Sequence, residues 1–165
     1  MSELIGDWNK LSKVLNSGKF KSQLAAATER VGNYGASEIK KGIVSGKNFA
    51  PNHPYTVAKK GSSKPLIDKG DLLGSVTYDV LNSNAVFIGV NKNANIAAVH
   101  EFGCTIKVTP KMRAYLHYNG LHLKASTQYI NIPARPFIRP AIENAEFAKA
   151  VYDIYKFAAM EALKS

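Results

Sequence analysis

Cysteine occurs once in this chain, at Cys104, and tryptophan once, at Trp8. A lone cysteine rules out a disulfide within the chain and removes the paired Cys-x-x-Cys ligands on which most structural zinc sites are built. No stretch approaches the roughly 20 consecutive apolar residues needed to span a membrane, so no membrane partner is expected. The opening segment "MSELIGDWNKLSKVL" is broken by Glu3, Asp7, Lys10 and Lys13, and it lacks the apolar centre of a signal peptide. Acidic residues are scarce as well, with 12 against 22 basic ones, for a net charge of +10. There is no internal repeat and no low-complexity tract.

What is present suits a folded chain. Its 165 residues, 45% hydrophobic and 21% charged, fit one domain with a single sizeable core. The excess charge is blocked. Lys40 to Gly70 holds seven lysines against Asp68, and Cys104 to Arg139 holds six basic residues and no acid, so each block carries +6. Such blocks suit DNA, an acidic membrane, an acidic protein surface, or simple solvation. The stretch "AKKGSSKPLIDKGDLLGSV" has the residue types of an anion-binding loop, yet it fails the Walker spacing. After four free positions beyond Gly61 the second glycine is missing, with Leu66 in its place, and Pro65 removes a backbone N–H where a phosphate cradle needs donors.

Leu4, Ile5, Trp8, Leu11 and Leu15 predict an amphipathic helix over 3–16, closed by Asn16-Ser17-Gly18. Phe20, Leu24, Ala27, Val31, Gly35, Ile39 and Ile43 predict a long second helix to about Ser45, in which Gly32, Gly35 and Gly42 mark close packing. Residues 46–70, rich in glycine and proline, carry no sustained period and read as an extended arm. Val76-Tyr78-Val80 and Val86-Ile88-Val90, joined by "NSN", read as a β-hairpin. "NIAAVHEFG" predicts a short helix with Phe102 buried and Gly103 reversing the chain. "TPKMRAYLHYNG" predicts another, capped by Thr109, with Pro110 at its first position and Gly120 beyond its end. Residues 121–132 read as strand, and a final helix is expected from about Pro136 or Arg139 to Leu163. The fold class is α+β, an antiparallel sheet packed by long N- and C-terminal helices, with a long basic loop. Its parts are a helical stretch (1–45), the arm (46–70), the sheet with short helices (71–132) and the C-terminal helix (133–165).

No constellation for catalysis emerges. His100, His117 and His122 with Cys104 lack metal-ligand spacing. In "HEFG", His100 and Glu101 are neighbours on a helix and do not face each other. Basic and aromatic residues interleave in "KMRAYLHY", a pattern that serves single-strand binding or a protein interface. No catalytic residue, metal or cofactor is expected.

The segments "FAPNHPYTVAKKGSSKPLIDKGDLLGSVTY", "IGV" followed by "NIAAVHEFG", and "IPARPFIRPAI" resemble, in order and spacing, the tailed-bacteriophage virion-morphogenesis proteins of the tail-completion or neck type, as in Mu-like and other long-tailed phages. The resemblance covers Phe49 to Ile142. It departs at Lys69, where Thr or Ser is usual, and in a longer segment from Cys104 to Ile132. It implies a virion protein of the tail or neck, assembled in the host cytoplasm. It further implies no enzymatic activity, and partnership with copies of itself in a ring, a hexamer by the resemblance, and with neighbouring neck and tail-tube proteins. On that reading the arm orders on assembly, with Phe49, Tyr55, Lys59, Lys60 and Lys64 as the assembly contacts and DNA in the ring channel as a secondary partner. The alternative is a basic nucleic-acid-binding protein. In "PARPF", Pro133 and Pro136 stiffen a corner, Phe137 pins a helix to the core, and Arg135 bonds carbonyls or a carboxylate.

Overall fold

The computed structural model describes residues 8–164, so the first part of the expected N-terminal helix, with Leu4 and Ile5, lies outside the described residues. The elements in chain order are α1 (Trp8–Asn16), α2 (Gly18–Ser45), α3 (Pro54–Lys60), α4 (Asp71–Ser75), β1 (Val76–Asn82), β2 (Ala85–Val90), α5 (Ala94–Phe102), β3 (Cys104–Lys107), α6 (Pro110–Tyr118), β4 (Tyr129–Ile132), α7 (Arg139–Ile142) and α8 (Ala145–Leu163). The fold is α+β with long helices toward both ends, and its strands form two small antiparallel sheets, β1-β2 and β3-β4. The chain divides into two compact units, one of Met1–Glu38, Thr77–Gly89 and Ala141–Ser165, the other of Ile39–Val76 and Val90–Pro140.

In the first unit the α2 stripe meets the β1-β2 hairpin and α8. Gly32 and Gly35 are where they come closest. A Cβ at Gly32 would stand 2.7 Å from Val86 Cγ2, and one at Gly35 would stand 2.6 Å from Ile88 Cδ1. Both distances are far inside van der Waals range, so these glycines are what let the hairpin lie on the helix. Gly42, expected to serve the same way, has nothing near it. Thr28 is fully buried, and its hydroxyl lies 2.6 Å from Ser83 O in the hairpin turn and 2.8 Å from the Tyr155 hydroxyl of α8. Its one proton serves the carbonyls of Ser83 and, at 3.0 Å, Leu24, so the Tyr155 hydroxyl donates to it, and three elements are joined at one atom. The rings of Tyr34 and Phe147 stack at 5.7 Å. The expected single C-terminal helix is broken into α7 and α8 because Asn144 adopts an extended conformation and accepts from Phe147 N at 2.7 Å, which makes it the N-cap of α8.

In the second unit Ile39, Ile43, Leu72, Val76, Ala97 and Phe137 are buried. β3 and β4 run antiparallel with Cys104 opposite Ile132 and Lys107 opposite Tyr129. Residues 121–127, expected as strand, lie outside this ladder. Arg113, on α6, instead donates to the carbonyls of Leu123 (3.4 Å), Lys124 (2.9 Å) and Thr127 (2.5 Å), which folds that stretch into turns. α6 is built as its sequence indicates, with the Thr109 hydroxyl accepting from Met112 N at 3.1 Å and Pro110 at the first position.

Candidate assembly interface

The arm contains more order than its sequence suggests. His53 is extended and accepts from Tyr55 N through Nδ1 at 3.2 Å, Pro54 opens α3, and Gly61, left-handed at φ 69°, closes it with its N–H on Val57 O. Beyond the helix the chain folds back. Asn52 Nδ2 donates to Ser63 O and Lys64 O, each at 3.2 Å, and Lys60 Nζ donates to the same Lys64 carbonyl. Tyr55 reaches further, its hydroxyl donating to Asn119 O at 3.2 Å just past α6. The arm thus follows a defined path in the single chain, whereas its sequence predicts order only on assembly.

Of the five residues expected to make assembly contacts, Lys59 and Lys64 are exposed, while Phe49, Tyr55 and Lys60 are half-buried. Lys59 Nζ stands 5.9 Å from the centre of the Tyr55 ring, so these two share one surface. Lys60 is turned back into the loop, which makes it a loop-closing residue rather than a free contact.

The arm is held at its root by the "PARPF" corner. Arg135, buried, donates from Nε to Ala50 O (2.6 Å) and from a terminal nitrogen to Pro51 O (2.9 Å), while its own N–H meets His100 O at 2.6 Å. Burial pulls the guanidinium below its usual pKa. Glu101 is buried on the same face of α5 as Ala97, and its carboxylate accepts three consecutive backbone N–H groups, from Phe137 (2.8 Å), Ile138 (3.0 Å) and Arg139 (3.1 Å). It caps the start of α7 from a distant part of the chain. Phe102, expected to be buried, is instead 63% exposed, with the Arg139 guanidinium 5.2 Å from its ring centre. The nine-residue α5 buries one face only, and Ala97 and Glu101 occupy it.

Next to this corner an apolar groove of about 690 Å³ is lined by Pro51, Tyr55, Leu121, Leu123, Ile130 and Ile132, with His100 and Arg135 among its walls. His100 Nδ1 is buried without a hydrogen-bond partner. Burial and then the Arg135 charge hold the imidazole pKa below its ordinary value, which favours the neutral ring. Among the described residues no three His, Cys, Asp or Glu side chains converge as metal ligands would, and no helix is long and apolar enough to cross a membrane.

These features define an α+β protein in which the buried side chains of Glu101 and Arg135 are committed to backbone amides and carbonyls, holding loops in place. The chain belongs to the phage virion morphogenesis family, whose sequence pattern matches residues 23–152, or 130 of the 165. Neither the curated proteins nor the solved structures give a match to it. Its role is in building the phage particle. The match takes in the arm, the corner and the α6 segment, and leaves α1 outside.

Proposed function

We propose that the chain is a non-enzymatic subunit of the tail-completion or head-tail joining ring, at the neck of the virion, with other copies of itself and the adjacent neck and tail-tube proteins as partners. The observation that supports this reading most is the amount of large apolar surface left open on a single chain. Tyr152, Phe157, Met160 and Leu163 are exposed along α8, and Trp8, Leu11 and Leu15 share one exposed face of α1. Apolar faces of this kind belong against another protein. A head-to-tail interface uses two different patches on each subunit and closes into a ring when its rotation permits.

The arm supplies a second contact. Tied down by Arg135 and Asn52, it presents Lys59 and Lys64 at little further entropic cost, because its backbone is already ordered. The test is the mass of the protein free in solution and as released from assembled tails. A multiple of the subunit mass in the particle, six by the family resemblance, supports the ring, and a single copy per particle refutes it.

A further inference from the structure

The two units do not share the charge. By sequence, the unit of Ile39–Val76 and Val90–Pro140 holds 14 Lys and Arg against 3 Asp and Glu, a net +11, while the other holds 8 against 9, a net −1. The imbalance at the surface of the basic unit is greater still. Glu101 is buried on three backbone N–H groups, which leaves Asp68 and Asp71 as the exposed acids, and both line one cleft of about 310 Å³ together with Lys60 and Lys69. Away from that cleft the surface of this unit has no acid.

How the basic residues are used narrows the partner. Two of the three arginines, Arg113 and Arg135, are spent on backbone carbonyls, and Arg139 lies over Phe102. The forked side chains that would recognise carboxylates or phosphates in fixed pairs are therefore mostly withdrawn from the surface, which leaves no basis for reading a particular sequence. What remains outward is lysine. Lys47, Lys59, Lys64, Lys107, Lys111 and Lys124 are exposed, and no carboxylate among the described residues pairs with any of them. On α6, Lys111, Tyr115 and Tyr118 fall at i, i+4 and i+7 and so share a face, with Tyr115 66% and Tyr118 90% exposed. Point charges on flexible stems suit a uniformly charged rod, on which each finds a phosphate whatever the register, and tyrosine hydroxyls add phosphate contacts of the same kind.

We propose that this basic unit binds the phosphate backbone of duplex DNA without sequence preference, through the arm lysines Lys59 and Lys64 and the α6-side lysines Lys111 and Lys124. A protein that builds a phage particle works beside such a polymer. The proposal needs no ring, since all four lysines are exposed on the single chain, and it is tested on the free protein, apart from the proposed position at the neck.

The experiment is fluorescence anisotropy of the full chain with a short labelled duplex of random sequence, titrated between about 50 and 200 mM salt. Binding should weaken along a straight line in log K against log salt. Replacing Lys59, Lys64, Lys111 and Lys124 together by Gln should lower the slope by about three to four, at about 0.9 for each phosphate no longer neutralised. The far-ultraviolet circular dichroism should not change, and Lys149→Gln with Lys156→Gln in the other unit should leave the slope as it was. Absence of binding at the lowest salt would overturn the proposal, and so would an equal drop in the Lys149/Lys156 control. Strong sequence preference, or tighter binding to anionic vesicles or to polyglutamate than to duplex, would overturn it too, the last assigning the charge to an acidic protein.

Discussion

Replacing Glu101 tests whether the corner that holds the arm depends on one carboxylate. In Glu101→Ala three N–H groups lose their acceptor at once. Phe137 is buried, so its N–H has no water to turn to, whereas Ile138 is half-buried and Arg139 exposed, and theirs can be partly rehydrated. A hydrogen bond to a charged group contributes about 1.5–3 kcal/mol, and a donor left unsatisfied in the interior costs about 1–3 kcal/mol. One full loss with two partial ones comes to about 3–5 kcal/mol, a large share of the roughly 5–15 kcal/mol that holds a domain folded. Glu101→Gln differs in kind. Its remaining oxygen can serve Phe137 and Ile138, which both use Oε2, but its amide would point a donor at the Arg139 donor, and the charge is gone. That loss should be about 1–2 kcal/mol. Urea unfolding reads both as shifts of the midpoint at constant slope. An alanine variant within about 1 kcal/mol of wild type would show that the carboxylate is not what fixes the corner, and a glutamine variant as damaged as alanine would show that one oxygen shared by Phe137 and Ile138 does not hold it.

Gly103 sits at φ 75° and ψ 168°, a region open almost only to glycine, and a Cβ there would lie 3.0 Å from Ala134 N; Gly103→Ala should cost about 2–4 kcal/mol, read by the same urea titration. His100 is held neutral by burial and by Arg135, so its folded pKa lies below the unfolded 6.5. The unfolded chain then binds more protons across that window, and the stability His100 contributes is complete above 6.5 and lost as pH falls through the folded value. Urea midpoints at about pH 7.5 and 5.5 should therefore drop less in His100→Gln than in wild type, and equal drops would refute the assignment. Charge reversal at Lys59 and Lys64, both exposed, should move stability by under about 0.5 kcal/mol while impairing particle assembly, checked by a thermal melt beside a count of joined particles. A folded variant that assembles normally would remove the arm from the interface.

Local signals carried much of the fold. The α2 stripe, the hairpin flanking "NSN", and the Thr109-Pro110 start of α6 are periodic or capped within a few residues, so nearest-neighbour chemistry decides them. The helix in the arm had its own signal, since His53 before it, Pro54 at its first position and Gly61 after it are a start and a stop, but the surrounding prolines and glycines concealed it. Glu101 was not legible. Its partners lie 36 to 38 residues away, and nothing in "HEFG" says that the carboxylate rather than Phe102 turns inward. The bonds from Arg135 span 84 and 85 residues, and only the possibility of carbonyl acceptors at that corner could be read in advance.

The same long-range bonds explain why motifs so far apart in the sequence belong together. "FAPN", "HEFG" and "PARPF" are separate in the chain and one corner in the fold. Arg135 of the third holds the carbonyls of Ala50 and Pro51 in the first, and Glu101 of the second holds the amides that begin at Phe137 in the third. Each tie satisfies backbone groups that a turn without regular structure would otherwise leave unpaired, and at buried Phe137 out of reach of water. An arm rooted in this way can carry exposed lysines to a partner without first losing the entropy of a free loop, and its reach is set by the corner rather than by its own sequence. A substitution at Arg135 should then act on the arm before it acts on the helices. Arg135→Met, which keeps most of the apolar stem, frees the carbonyls of Ala50 and Pro51, so hydrogen exchange should quicken across residues 50–64 while the amides of α2 up to Glu38, which lie in the other unit, keep their protection. Uniform loss of protection over the whole chain would instead make Arg135 a general core residue, and unchanged exchange in the arm would show that Asn52 and Tyr55 hold it unaided.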